Sequence, residues 1–564
     1  VSAILNALDS QQRAAAECIS GPVVIHAGAG TGKTRTITHR LAHAIQSGVV
    51  EASQTLTVTF TNRAAGELRS RLLELGIPNA QVRTFHSAAL RQLRFFYPQV
   101  FTNQIPTLIS SKATYVAIAA KQCHIDAGSD TIRDLAGEIE WAKVNIISPD
   151  MYRETAFESG RMPGHNLSAE QVALVYETYL KVLDEAHVMD FEDVLLTTVA
   201  LLTNYPELAA QVRSQYRYFT VDEFQDVSPI QFELLSLWLG NRDDVCVVGD
   251  PAQTIYEFTG ATPEYLATFA KYFPRATAFD LTHSYRSTPE IIQVANQVLN
   301  RISSNGLKLQ PTRASGQKVT VVSFADDEAE AREIANSIRN LIAGGLQPRD
   351  IAVIYRINSQ SEAFETALGN ADIPVTVRGA SRYFERPEIR NALLHLRANL
   401  QTPDAREMNF IVRDIVSGLG WAPKSPDSGR AAQDTWESLN TLVQLADDFV
   451  VQNSSALLPE FIAMLDHRNE YDHDPVANAV SLASIHAVKG LEWDAVFVAG
   501  LSDGLLPISY AKTPTLISQE RRLFYVAITR AKNHLHISWA KARTSYIKAH
   551  RSSSIFLGDV KDVL

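Results

Sequence analysis

Val23-Val-Ile-His-Ala-Gly-Ala-Gly-Thr-Gly-Lys-Thr34 is the stretch whose reading decides the fold of this 564-residue chain. Val23 to His26 is an apolar run of strand length, Ala27 to Thr34 is small and glycine-rich, and Arg35 to Gln46 carries a helical pattern. Strand, loop and helix in that order predict a phosphate-binding loop. Glycines let successive backbone N–H groups converge on phosphate oxygens. The helix that follows aims its positive end at the same anion. In this reading Ala27, Gly28, Ala29, Gly30, Thr31 and Gly32 form the cradle. Lys33 reaches the β- and γ-phosphates, and the Thr34 hydroxyl holds Mg²⁺. Ala27 stands where the pattern G-x-x-x-x-G-K-[ST] begins with glycine. A glycine-rich turn that binds nothing is the bland alternative, and the flanking strand and helix weigh against it.

Working outward, Thr55 to Phe60 alternates like a strand and Asn62 to Leu75 like a helix. Val82 to Ser87 reads as a short strand running into a polar turn. Residues 88–187 read as helices without clear strands. Tyr216 to Val221 and Val245 to Val248 restore the strand pattern. Further strands are predicted at Lys318 to Phe324, Ile351 to Tyr355, Ile373 to Val377, Ser481 to Ile485, Ala495 to Ala499 and His534 to Trp539, with a second helical stretch over 379–480. Strands alternating with helices predict an α/β fold with parallel sheets. Two such bodies are expected, each interrupted by a helical insertion. Ligands of these sheets bind at the carboxyl ends of the strands. Phe60, Thr61, Asn62, Arg63, Thr84, Phe85 and His86 fall there.

The length exceeds what one hydrophobic core supports. Composition is that of a globular chain, 46% hydrophobic and 20% charged. No uninterrupted apolar run approaches the ~20 residues of a membrane span, and the first residues lack the basic-then-apolar signal pattern. Val1 in place of a methionine fits a trimmed or processed chain. Cys18, Cys123 and Cys246 are far apart, without metal spacing, which favours a reducing, cytoplasmic compartment. With a net charge of −10, any nucleic-acid site must be a local basic stripe.

Five further segments carry chemistry. Leu8 to Ala15 opens a helix with Asp9 or Ser10 as cap; its Gln12 could read an adenine edge, but the segment alone reads better as a solvated helix face. Asp222-Glu223 ends the strand Phe219-Thr-Val221. There one carboxylate can hold Mg²⁺ while its neighbour activates water, which assigns Asp222 to the metal and Glu223 to the general base. Gly249-Asp-Pro-Ala-Gln-Thr-Ile-Tyr-Glu-Phe258 offers Gln253 to a γ-phosphate and Tyr256 and Phe258 to stack on bases. Ser284-Tyr-Arg286 and Glu520 to Arg530 supply arginines for the charge that develops in phosphoryl transfer. The bland reading of Arg530 is a charge at a helix end.

These blocks, in this order, resemble the UvrD/Rep/PcrA family of superfamily 1 DNA helicases, from Leu8 to about Leu557. The resemblance rests on Leu8 to Ala15, the phosphate loop with Arg35, Phe60-Thr-Asn-Arg-Ala-Ala65, Thr84-Phe-His86, Val221 to Asp226 and Val248 to Tyr256. It continues through Tyr285-Arg286, Ile354-Tyr-Arg-Ile-Asn358, His486 to Glu492 and Val526 to Arg530. It implies two RecA-like domains, 1–87 with 190–281 and 282–378 with 481–564. Their helical inserts would be 88–189 and a short 379–480. It implies ATP between the domains, single-stranded DNA across their top, and 3′→5′ stepping. Gln12 becomes the adenine reader, Tyr285 packs on adenine and Glu492 holds the ribose. Arg286 and Arg530 become arginine fingers, and Arg356 touches the DNA backbone.

The chain departs from the family pattern at Thr259, where relatives usually have arginine. It also has a shorter second insert and ends soon after Leu557. The expected function is an ATP-dependent 3′→5′ helicase and single-strand translocase in repair or replication restart, acting poorly on long duplexes. A motor that strips proteins from DNA, the motor subunit of a helicase–nuclease complex, and a nucleotide-binding scaffold without turnover remain as alternatives.

Overall fold

The computed structural model describes residues 3–563 apart from 162–166, 304–305, 358–359, 379–383, 385, 401–405, 425–435, 437, 441, 444, 448, 451–456, 471–477, 510 and 543–550. The chain forms two compact units, Val1–Tyr285 with Leu307–Gln310, and Arg286–Gly306 with Pro311–Leu564.

The first unit is built on six parallel strands: β1 (Val23–Ala27), β2 (Thr55–Thr59), β3 (Gln81–Thr84), β4 (Tyr218–Val221), β5 (Val245–Gly249) and β6 (Thr277–Leu281). Their order is β3-β2-β4-β5-β1-β6. Successive side chains point to opposite faces of a strand, and both faces here are buried. Val24, Val245 and Val247 enter one core with Leu56, Val58, Phe219 and Trp238. Val23, Ile25, Cys246 and Val248 enter the other, with Ile37, Leu41 and Leu68. Two apolar faces need a helical layer on each side, which is why the central strands read as unbroken apolar runs.

Three local readings change. The residues expected as a polar turn after β3 start a helix, Phe85–Val100. Thr84 caps it: its Oγ1 accepts from Ser87 N at 3.1 Å, and Ser87 Oγ accepts from Thr84 N at 2.9 Å. This helix, whose residues from 88 onward the sequence grouped with the insert, packs Phe85, Ala89, Leu93 and Phe96 into the core of the sheet. The insert has its own core around Val116, Ile139, Tyr152, Val172 and Tyr179. Where the chain leaves for it and returns, Thr107–Leu108 pairs in parallel with Val188–Met189, in a stretch read as strandless. At that base the Lys143 ammonium, fully buried, bonds Asp190 and Asp193 at 2.8 Å each. The hydroxyl of Tyr179 donates to Asp190 at 2.8 Å. A buried charge persists only with such partners. The third change is β6, which sequence alternation missed because most of it is exposed.

The second unit repeats the plan with β7 (Thr320–Phe324), β8 (Ile351–Tyr355), β9 (Val375–Arg378), β10 (Val480–Ser484), β11 (Trp493–Val498) and β12 (Ala531–Ala540). These are parallel in the order β7-β12-β11-β8-β10-β9. Between β9 and β10 lies the second helical insert. Its described helices Pro387–Asn399, Met408–Gly418 and Leu458–Glu470 close on a core of Ile389, Leu396, Val412, Leu442 and Phe461. Most of the Lys424–Gly429 polar break lies outside the described residues, as does Asn358.

Candidate nucleotide and nucleic-acid sites

In the first unit the loop after β1 runs into the helix Lys33–Gln46, whose cap residue, Gly32, is left-handed at φ +80°. That conformation strains any residue with a Cβ. A Cβ there would also lie 2.6 Å from Gln12 Nε2. Gln12 is not on a solvated face. It is buried, its Nε2 donates to Thr31 O at 3.0 Å, and its Oε1 accepts from Asp9 N at 3.4 Å. Asp9 caps the helix Ser10–Glu17 as the sequence predicts, accepting from Gln12 N at 2.7 Å. Gln12 thereby braces the glycine loop from behind. Ala27 and Ala29 are buried, Thr34 is half-buried and Arg35 is exposed, donating to Ala7 O.

Tyr285 comes to the same place. Its backbone N donates to Gly30 O at 2.9 Å, and its hydroxyl donates to Asp9, which also faces His283. Burial and the Asp9 carboxylate push the phenol up to about 12. The ring is 45% exposed, open enough to receive a flat ligand.

Asp222 and Glu223 follow β4, at the carboxyl end of an interior strand, where phosphate chemistry is expected. Burial, then the neighbouring Glu223 charge, push the Asp222 carboxyl up to about 7, while Lys33 opposes the shift. A cation at this carboxylate would restore its ionised form. One buried carboxylate and one hydroxyl, Thr34, suit a magnesium ion that takes its remaining ligands from phosphate and water. Among the described residues no cluster of three metal-ligating side chains competes with it. Glu223 sits at φ +52°, ψ +42°. A non-glycine residue held there stores about 1–3 kcal/mol of strain. The turn that aims its carboxylate is held by surrounding bonds.

After β5, Asp250 caps a single turn, Pro251–Gln253, and Gln253 Nε2 donates to Asp250 Oδ2 at 2.7 Å. The chain then presents aromatics. Tyr256 stacks on Phe60 at 5.1 Å between centroids, and Phe258 follows at 6.3 Å. Phe60 and Phe258 are 40% and 56% exposed, a surface rather than a core. Thr61 caps the helix Asn62–Glu74, and Asn62 and Arg63 are exposed beside it. His86 packs edge-on against exposed Phe191. Burial and the Lys112 charge hold its imidazole neutral, down at about 4. Thr84, expected on DNA, spends its hydroxyl on the helix cap described above. At Thr259 the hydroxyl donates to Tyr256 O at 2.9 Å, and Arg161 of the insert reaches Phe258 O at 3.5 Å.

In the second unit Arg286 and Arg530, 244 positions apart in sequence, converge on Thr529. Arg286 Nη1 donates to Thr529 O and Arg530 Nη2 to Thr529 Oγ1, both at 3.0 Å. Arg530 also donates to Val526 O at 2.9 Å, so the helix-end reading of this arginine holds locally. Glu492 pairs with Arg286 at 2.6 Å and Lys532 at 3.1 Å. Burial opposes ionisation of Glu492, but the two cations hold it below the usual carboxylate range.

Arg356 differs most from the sequence expectation. Its Nε and Nη2 clasp both Glu520 oxygens at 2.8–3.2 Å, with both side chains nearly buried. Glu520 in turn accepts from Ile508 N at 3.1 Å. A guanidinium that clasps a carboxylate in this way is an internal brace, and its bonds to Glu520 compete with any phosphate contact. Removing one partner of such a pair costs about 3–5 kcal/mol. Glu520→Ala should lower the urea midpoint of the second unit accordingly, and Arg356→Gln should leave the salt dependence of DNA binding unchanged.

The chain matches the UvrD/REP helicase N-terminal domain over residues 8–274 and the UvrD-like helicase C-terminal domain over 279–426 and 422–542. It is 44% identical to the ATP-dependent DNA helicase UvrD2 of Mycobacterium tuberculosis, over 99% of this chain and 82% of that protein. It is 31% identical to UvrD1 of the same organism over 96% and 83%, and 27% identical to PcrA of Leuconostoc citreum over 100% and 86%. With two RecA-like units, a phosphate loop facing a strand-end acidic pair, and these matches along its length, the chain belongs to the UvrD/REP family of ATP-dependent DNA helicases and is an ATP-hydrolysing enzyme of that class.

Proposed function

We propose that this enzyme couples ATP hydrolysis to 3′→5′ movement along single-stranded DNA, with Mg²⁺ as cofactor, in the cytoplasm and in the service of repair or restart. One observation carries the reading. The segment Gly249–Phe258 leaves the phosphate side of the first sheet through Asp250 and Gln253, and ends nine residues after β5 in the stacked rings of Phe60, Tyr256 and Phe258, of which Phe60 and Phe258 are exposed. Hydrolysis chemistry and a base-stacking face are thus built on one short stretch of backbone.

In this mechanism Lys33 and the loop amides bind phosphate, and Gln12 keeps the loop in shape. Thr34 and Asp222 would hold Mg²⁺, which supplies charge neutralisation on the phosphate oxygens. Glu223 orients and deprotonates the attacking water, and Gln253 senses the γ-phosphate. Arg286 and Arg530 meet the charge that develops there. Glu492 positions Arg286, and its ribose contact is part of this proposal. Stacking ignores base identity, since every base offers a π-face.

Tyr256→Ala and Phe258→Ala should each weaken single-strand binding by about 1–3 kcal/mol without sequence preference. Arg63→Ala should flatten the salt slope by about one unit. Fluorescence anisotropy on mixed-sequence oligonucleotides reads both; unchanged affinity in the aromatic variants would remove this surface from the DNA path. Direction is tested by streptavidin displacement. ATP should drive release from a biotin at the 5′ end of a single strand and leave one at the 3′ end in place. The opposite pattern would reverse the polarity.

A further inference from the structure

We infer that Gln225 is the positioning residue that sets the Glu223 carboxylate, through an amide whose orientation the backbone of Asp250 fixes. This rests on the reading of Glu223 as general base. Gln225 is fully buried in the single turn Phe224–Asp226. Its Oε1 accepts from Asp250 N at 3.0 Å, and its Nε2 donates to Glu223 Oε2. An amide has one accepting and one donating end. A backbone N–H can only donate, so it must face Oε1, and the donating end is left pointing at Glu223. The flip that would turn the amide oxygen against the carboxylate is thereby blocked.

Two neighbouring features hold the amide in place. A Cβ at position 249 would lie 2.4 Å from Gln225 Oε1, so glycine at the end of β5 is what lets this amide in. The Thr254 hydroxyl donates to Gln225 O at 3.4 Å. Asp250, whose N–H anchors Gln225, also receives Gln253 Nε2 at 2.7 Å. The carboxylate that activates water and the glutamine that senses γ-phosphate are therefore hung on Asp250, one through its N–H and the other through its side chain. The left-handed backbone at Glu223 gives the arrangement a purpose: that conformation needs fixing from outside, and Gln225 does it from two residues away.

The test separates the two ends of the amide. Gln225→Met removes both bonds. Gln225→Glu keeps an acceptor for Asp250 N–H but turns an acceptor, and a like charge, toward Glu223. Both variants should lose kcat for DNA-stimulated ATP hydrolysis by about 10–100-fold, the usual effect of removing an orienting partner, with KM for ATP unchanged. Should Gln225→Met fail to fold, Gln225→Glu still decides. Wild-type kcat in Gln225→Glu, or a loss confined to KM, would overturn the inference. Turnover surviving in Glu223→Gln would instead remove the general-base reading on which it rests.

Discussion

Glu223→Gln should abolish ATP turnover and leave nucleotide bound, whereas Lys33→Ala should abolish turnover by weakening phosphate binding itself. The two losses have different physical origins. Lys33 sits at the start of the helix Lys33–Gln46, adding a full charge to the partial charge of the helix end. It acts on ground-state phosphate and on the transition state alike. Glu223 makes no net attraction to ATP, since both are anionic; its proposed work is to orient water and take its proton. Replacing it with glutamine keeps the shape and removes the basicity, and with one negative charge fewer beside Asp222, ATP is held at least as tightly. Filter binding of labelled ATP alongside phosphate release distinguishes the cases. Near-normal turnover in Glu223→Gln would remove it as the base.

Arg286→Ala and Arg530→Ala should slow hydrolysis by about 10³–10⁵-fold, the range of arginine fingers, while barely changing nucleotide affinity. The reason is that they act on charge absent from the ground state. The structure adds a condition. Both arginines are held on Thr529, and Arg286 is tied to Glu492. Glu492→Gln should therefore produce a milder copy of the Arg286→Ala defect, in kcat rather than KM. Single-turnover kinetics at saturating ATP measure this free of product release; an affinity loss with kcat preserved would mean the arginine has been misassigned.

What was legible in the sequence follows from what kind of information each feature needs. The phosphate loop, the central strands and the acidic pair at the end of β4 are local patterns, and they could be read directly. Gln12 could not, because its burial depends on the loop that folds over it from positions 31 and 32. The brace between Arg356 and Glu520 was not legible because the two lie 164 positions apart. The edge strand β6 lacks the apolar face that alternation detects. The sequence grouped the helix from residue 88 onward with the insert, because its apolar stripe does not say which neighbour covers it. Gln225 lay in plain view within Asp222-Glu-Phe-Gln-Asp226, but only the backbone of Asp250 shows which end of its amide faces Glu223.

The central claim is that the stacking surface at Phe60, Tyr256 and Phe258 and the hydrolytic centre at Lys33 and Glu223 work as one machine. Steady-state ATPase activity, measured with increasing single-stranded DNA of mixed sequence, tests it most directly. The account predicts a low basal rate that rises to a plateau with DNA, a plateau reached only at higher DNA concentration in Tyr256→Ala, and no response in Glu223→Gln. A rate independent of single-stranded DNA in the wild-type chain would contradict it.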